Sequence, residues 1–91
     1  MNAPRGSRPP GPLAQALHHL EAGDWRRAHE IVQKQEESAL AAWLHGIVHI
    51  LEGDLDNARG WYRRAERPFP GAAAVQQEIA EARRAVEARH R

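Results

Sequence analysis

The sequence predicts an all-α fold in which two antiparallel helical hairpins are followed by a C-terminal capping helix. Three observations lead to this prediction. Apolar residues recur at helical spacing along most of the chain, and no segment shows the alternation of a strand. A Gly-Asp pair interrupts the helical pattern at Gly23-Asp24 and again 30 residues later at Gly53-Asp54. A length of 91 residues allows one small domain.

The first hairpin is predicted over residues 13–37. Gly23 supplies the backbone freedom that ends its first helix, and the carboxylate of Asp24 can accept hydrogen bonds from the free amides of the second. We therefore expect a short turn between two adjacent helices. The apolar face of the first helix follows the i, i+3, i+4, i+7 spacing through Leu13, Ala16, Leu17 and Leu20.

The second hairpin is predicted over residues 38–67, and its signals are the same. Ser38 is placed to cap a long apolar helix, Gly53 ends that helix, and Asp54 caps the one that follows. Pro68 lacks a backbone N–H and cannot continue a helix, so it ends the hairpin.

Two further segments flank the hairpins. Residues 71–90 place Val75, Ile79 and Val86 on one helical stripe and are predicted to form a capping helix. Residues 1–12 hold four prolines and two glycines with almost no apolar side chains, so they are predicted to be a disordered tail. The folded domain is therefore expected to span residues 13–91.

The two hairpins are similar in sequence. When the chain is shifted by 30 residues, small residues align with small ones, large apolar residues with large apolar ones, and His19 with His49. The second hairpin resembles the tetratricopeptide repeat in the spacing of its small, aromatic and turn residues, which are Gly46, His49, Gly53, Asp54, Ala58, Tyr62, Ala65 and Pro70. The first hairpin matches through Ala16, His19, Gly23, Asp24 and Ala28.

The resemblance implies a concave groove, lined by the inner faces of the first helices, that binds partner segments. On this sequence the groove positions are Leu13, Leu17, Leu20, Trp43, Ile47, Ile50 and Leu51. Nearly all are large and apolar, and a single chain seldom exposes such a patch to water. Either the last helix covers this face, or a protein partner or a second copy does. Because the last helix has one apolar face, we expect it to leave part of the groove bare, and we expect a homodimer in pure protein.

Composition excludes most kinds of chemistry. The chain has no cysteine, which removes a disulfide scaffold and a cysteine nucleophile. Its net charge of +1 provides no overall field that would attract nucleic acid or a membrane surface. No apolar run is long enough for a membrane helix, and no carboxylate pair or Gly-rich loop indicates catalysis. We therefore expect a protein that is not an enzyme and has no cofactor. The Arg-to-Lys ratio of twelve to one is a compositional indication of a bacterial cytoplasm.

Three histidines are the candidate ligands if a metal binds. His45 and His49 have the i, i+4 spacing at which two imidazoles on a helix can share an ion, and His19 holds the equivalent of position 49 in the first hairpin. The competing interpretation is that these side chains fill positions between helices and form hydrogen bonds across the hairpin. The sequence favours this second interpretation, so no metal site is predicted.

The tryptophans and arginines also have two interpretations. Trp25, Trp43 and Trp61 could form a ligand-binding cage, but no helical spacing aligns all three, so core or interface positions are predicted. An arginine-rich edge near residues 59–67 could contact phosphates, but neighbouring acidic residues favour a solvated surface.

The function predicted from these observations is a non-enzymatic protein–protein interaction module that uses the apolar face of its first helices. The alternatives are a self-associating structural homodimer and a small histidine-based metal- or ligand-binding helical protein.

Overall fold

A computed structural model describes residues 11–35 and 38–89, and that part of the chain contains five α-helices and no strand. The helices are α1 (Pro12–Glu21), α2 (Trp25–Val32), α3 (Ala39–Glu52), α4 (Leu55–Arg64) and α5 (Val75–Arg89), with a 3₁₀ turn at Ala72–Ala74 before α5. The predicted all-α fold of two helical hairpins and a C-terminal helix is confirmed. None of the described helices is both long and apolar enough to cross a membrane.

The helix bounds differ from the predicted ones by a few residues. α1 begins at Pro12, because proline has no N–H to leave unpaired in the first turn of a helix. The 3₁₀ turn occupies the start of the predicted capping helix, so α5 begins at Val75. Most of the predicted disordered tail, residues 1–10, lies outside the described residues.

The Gly-Asp turns form as the sequence predicts. In the first turn Gly23 has a φ of +80°, which is in the left-handed region that favours glycine. The amide of Asp24 donates to the carbonyl of His19 at 2.8 Å, and its carboxylate accepts a hydrogen bond from the amide of Arg27 at 3.3 Å. The second turn repeats this arrangement 30 residues later, with a φ of +93° at Gly53. Each hairpin therefore closes through the same hydrogen bonds.

The small residues mark where helices approach closely. A Cβ atom placed on Gly46 of α3 would lie 2.5 Å from Cδ1 of Tyr62 on α4, so only glycine fits this contact without a shift of the tyrosine ring. The alanines of the repeat pattern are buried in the same way, with exposures of 0–7% at Ala16, Ala28, Ala58 and Ala65. The small residues of the repeat pattern therefore lie at buried positions of the hairpins.

The turn after α4 forms the same kind of hydrogen bond without a glycine. The amide of Arg67 donates to the carbonyl of Tyr62 at 3.0 Å, and Glu66 between them has a φ of +60°. A non-glycine residue in this region carries a steric cost between its Cβ and the backbone.

α5 packs against both α1 and α3. Its apolar stripe is buried through Ile79, Ala82 and Val86, at 4%, 0% and 1% exposure. α2 packs against α1 on one side and α3 on the other. The core therefore joins both hairpins and α5 in one cluster of buried side chains.

Candidate functional site

The predicted groove residues form the inner face of α1 and α3, but they lie inside the folded chain. Leu17 and Ile47 are 0% exposed and Trp43 is 4% exposed, whereas Leu51 is half-buried. We refer to the seven residues Leu13, Leu17, Leu20, Trp43, Ile47, Ile50 and Leu51 as the inner face. The expectation that the last helix leaves this face partly bare is wrong. Because α5 lies against both α1 and α3, instead of closing only one end of the stack, its single apolar stripe serves both helices.

The carboxylate of Glu78 fixes the start of α5 to the second hairpin. Its Oε1 accepts hydrogen bonds from the indole N–H of Trp43 at 2.9 Å and from the hydroxyl of Tyr62 at 2.8 Å. Burial of the phenol, together with its hydrogen bond to the carboxylate, raises the pKa of Tyr62, so the hydroxyl remains a donor. The sequence analysis missed Glu78, because its partners lie 35 and 16 residues away and no spacing rule connects them.

An ion pair holds the middle of α5 to α1. The guanidinium of Arg83 donates to both carboxylate oxygens of Glu21, at 2.7 and 2.8 Å. The hydrogen bond from Arg83 lowers the pKa of Glu21 and keeps that carboxylate ionised. Arg67 adds a contact near the start of α5, since its guanidinium lies 3.5 Å from the ring centre of Trp43 and 3.7 Å from Glu81. The helix is thus held by an apolar stripe and by polar contacts beside it.

A second candidate site is a cluster of three histidines where α2 packs against α3. The ring centres of His29 and His45 are 4.9 Å apart, those of His29 and His49 are 5.3 Å apart, and those of His45 and His49 are 5.0 Å apart. One ligand nitrogen of each ring lies within 4.8 Å of the other two. His45 and His49 are buried and His29 is half-buried. The cluster therefore has one accessible side.

The surroundings of the cluster affect the His45 ring most. Burial lowers the pKa of His45 to about 4, and its neighbours His49 and His29 add to that effect. The His45 ring also stacks on Trp61, with ring centres 3.7 Å apart and planes 9° from parallel. Nδ1 of His49 lies 2.7 Å from Oε1 of Glu52. His45 is therefore a neutral imidazole near pH 7, and the His49 ring is oriented by a carboxylate.

Of the three candidate histidines, the structure brings only His45 and His49 together. His19 lies outside the cluster, 5.8 Å from the ring centre of His18, and lines a cavity with Arg83 on the α1–α5 side of the fold. His29 takes its place because α2 brings that side chain to α3. The predicted hydrogen bond across the hairpin is not the one that His49 forms, since Glu52 belongs to the same helix.

The tryptophans do not form a cage. Each contacts a different arginine. The guanidinium carbon of Arg26 lies 5.2 Å from the ring centre of Trp25, and that of Arg64 lies 4.6 Å from the ring centre of Trp61. Trp43 contacts Arg67, as described above. Trp43 is buried, and the other two are half-buried against the core. The prediction of a core position is confirmed for Trp43, and Trp25 and Trp61 pack at the edge of the core.

Comparison with known proteins identifies the repeat. A family model described as "Tetratricopeptide repeat" matches residues 13–73, a segment that contains α2, α3, α4 and nearly all of α1. No curated protein and no solved structure matches the chain. The matched segment includes both Gly-Asp turns and the close contact of Gly46 with Tyr62, and it ends just before α5.

Proposed function

The chain belongs to the tetratricopeptide repeat family, and on that premise we propose that it is a non-enzymatic protein–protein interaction module. Repeats of this kind stack into concave surfaces that bind other chains. We place the docking site on the inner face of α1 and α3, and the partner segment that it takes is an amphipathic helix. One observation carries this choice: α5 is itself an amphipathic helix, and it is seated on that face.

The contacts of α5 support a particular chemistry for the partner. A helix in a groove is recognised through apolar side chains at i, i+3 and i+7, which is the spacing of Ile79, Ala82 and Val86. Glu78 precedes this stripe and is bound by Trp43 and Tyr62. An arginine five residues after Glu78 binds Glu21 on α1. A partner helix with an acidic residue, a stripe of small or branched apolar residues and an arginine at these offsets fits the same face.

Binding at this face requires α5 to leave it. Because α5 is part of the same chain, its effective concentration at the inner face is high, of millimolar order for short linkers. A partner must therefore bind tightly, or bind a chain in which α5 has dissociated from that face. The equilibrium between seated and displaced α5 then sets the apparent affinity for the partner.

Replacing each of two alanines on α5 by glutamate tests this function. Ala82 lies on the buried face of α5 with 0% exposure, whereas Ala80 is on the exposed face of the same helix. In the full-length chain, Ala82→Glu should unseat α5 and allow a fluorescent peptide of residues 75–89 to bind, with at least a tenfold gain in affinity over the wild type. Ala80→Glu is the matched control and should behave like the wild type.

Fluorescence anisotropy and circular dichroism together keep this test decisive. If Ala82→Glu loses helix content, the peptide should restore it as it binds, because a ligand of the folded state stabilises that state. Equal, weak peptide binding by all three chains would contradict a helix-binding inner face.

Self-association is the other arrangement that the sequence analysis predicted. Because α5 covers the inner face, a dimer formed through that face requires the α5 of one copy to lie on the inner face of the other. Such an arrangement is an exchange of identical helices. Sedimentation of the full-length chain at high micromolar concentration distinguishes this arrangement: a dimer supports exchange, and a monomer leaves the inner face to a different partner.

A further inference from the structure

We propose that His29, His45 and His49 form a binding site for one divalent transition-metal ion, of which Zn²⁺ is the best match to three imidazole ligands. The site links α2 of the first hairpin to α3 of the second. It is separate from the inner face proposed above as the docking site.

The ring geometry fits a common ion. With Zn–N distances of about 2.0–2.1 Å and a tetrahedral arrangement, the centres of three imidazole rings bound to one ion lie roughly 5 Å apart. The three observed separations are 4.9, 5.3 and 5.0 Å. The ligand nitrogens, within 4.8 Å of one another, must approach to about 3.3 Å in a tetrahedral site. If α2 and α3 keep their positions, rotation of the side chains has to supply that change.

The rings are also available as ligands. Among the described residues, no hydrogen bond is formed by the ring nitrogens of His29 or His45, although the His45 side chain is 5% exposed. Neither ring has to give up a protein hydrogen bond in order to bind an ion.

Glu52 supplies the outer contact that bound histidines commonly have. With Nδ1 of His49 donating to Oε1 of Glu52 at 2.7 Å, Nε2 is left as the nitrogen that can bind the ion. The carboxylate orients the imidazole and offsets part of the charge of the ion. Arg64, stacked at 4.6 Å on Trp61, is a cation beside the cluster that opposes binding, and the indole ring contacts both this guanidinium and His45.

The position of the site defines what the ion would do. Two ligands come from α3 and one from α2, so a bound ion cross-links the two hairpins at the interface between repeats. Two repeats fall short of the three or more that a stable array usually needs. An ion at this interface would supply stabilisation that a third repeat provides in longer repeat arrays. The half-buried His29 gives the ion a route from solvent.

The test uses the full-length chain, freed of metal by EDTA and dialysed, and titrated with Zn²⁺ by calorimetry and by thermal melting. We expect one Zn²⁺ per chain and a rise in Tm of roughly 10–20 °C when free Zn²⁺ exceeds the Kd a hundredfold. Co²⁺ should give the intense visible absorption of a four-coordinate site.

Two histidine variants locate the ion. His29→Gln removes a half-buried ligand and should leave the metal-free Tm near that of the wild type, while the affinity for Zn²⁺ falls at least tenfold and most of the Tm rise is lost. His18→Gln, on the exposed face of α1, is the matched control and should bind like the wild type. Glu52→Gln should weaken binding by about 10- to 100-fold. The proposal is overturned if Zn²⁺ leaves the wild-type Tm unchanged, or if His29→Gln binds as tightly as His18→Gln.

Discussion

The indole N–H of Trp43 donates a hydrogen bond to Oε1 of Glu78, which lies 35 residues further along the chain. This bond joins the inner face of α3 to the first turn of α5, and the same carboxylate oxygen accepts the hydroxyl of Tyr62 from α4. Three helices therefore meet at one carboxylate. A charged acceptor shared by two partly buried donors gives stronger bonds than a neutral acceptor would.

Loss of that acceptor should be costly. We expect Glu78→Leu to lower the free energy of unfolding by about 2–4 kcal/mol, because it leaves the donors of Trp43 and Tyr62 without a partner. Glu78→Gln should cost about 1 kcal/mol or less, since its amide oxygen can accept both bonds. Urea unfolding at pH 7 measures both values. Equal costs for the two variants would show that shape, and not the hydrogen bonds, holds α5 at this position.

The contact of Gly46 with Tyr62 makes a prediction with an internal control. A Cβ at position 46 would lie 2.5 Å from Cδ1 of the tyrosine, so Gly46→Ala should destabilise the protein by about 1–3 kcal/mol. Gly60 lies within α4 with no atom near its added Cβ, so Gly60→Ala should stabilise the protein by about 0.5–1 kcal/mol. Thermal melting of both variants tests the close packing of α3 on α4, and a loss of stability in both would contradict it.

The turn after α4 offers a stabilising substitution. Glu66 has a φ of +60°, a conformation that glycine adopts without a steric penalty. We expect Glu66→Gly to raise the free energy of unfolding by about 1 kcal/mol. Glu66→Ala retains the Cβ atom and should give little change. Equal Tm values for the alanine and glycine variants would show that the backbone at this turn is not left-handed.

The pair of Glu21 and Arg83 should make stability depend on acid. The pKa of Glu21 is lowered in the folded chain, so its contribution is present above the ordinary carboxyl pKa and is lost as the pH falls through the folded value. Because the pair is partly exposed, we expect the wild type to exceed Glu21→Gln by no more than about 1 kcal/mol at pH 7. Urea midpoints at pH 7 and pH 3 measure the difference, which should be smaller at the lower pH. A difference that is as large at pH 3 as at pH 7 would mean that the charge of the carboxylate is not its source.

The elements of this fold follow from local signals, which is why the sequence predicts them. The turn at Gly23 and Asp24 needs a left-handed backbone and a carboxylate beside free amides, and both requirements are met by adjacent residues. Gly46 and Tyr62 are recognised as positions of the repeat because the spacing of small, aromatic and turn residues lies within one hairpin. Their contact is visible only in the structure.

The placement of α5 could not be predicted from such signals. Its amphipathic stripe fits any apolar surface, and only the contacts of Glu78 and Arg83 show which surface it takes. For the same reason the candidate histidines from the sequence include His19, whereas the structure brings His29 to His45 and His49. Repeat symmetry points to equivalent positions, whereas the cluster depends on how one hairpin packs against the next.

Cross-linking gives the most direct test of the central claim that α5 covers the inner face of its own chain. The chain has no cysteine, so Glu21→Cys with Arg83→Cys introduces one reactive pair at the contact between α1 and α5. The two single variants serve as controls. Treatment of the double variant with a short bis-maleimide at high micromolar protein, followed by intact mass measurement, should give a cross-linked product with the mass of one chain. A product with the mass of two chains, or no cross-link in the double variant, would contradict the account.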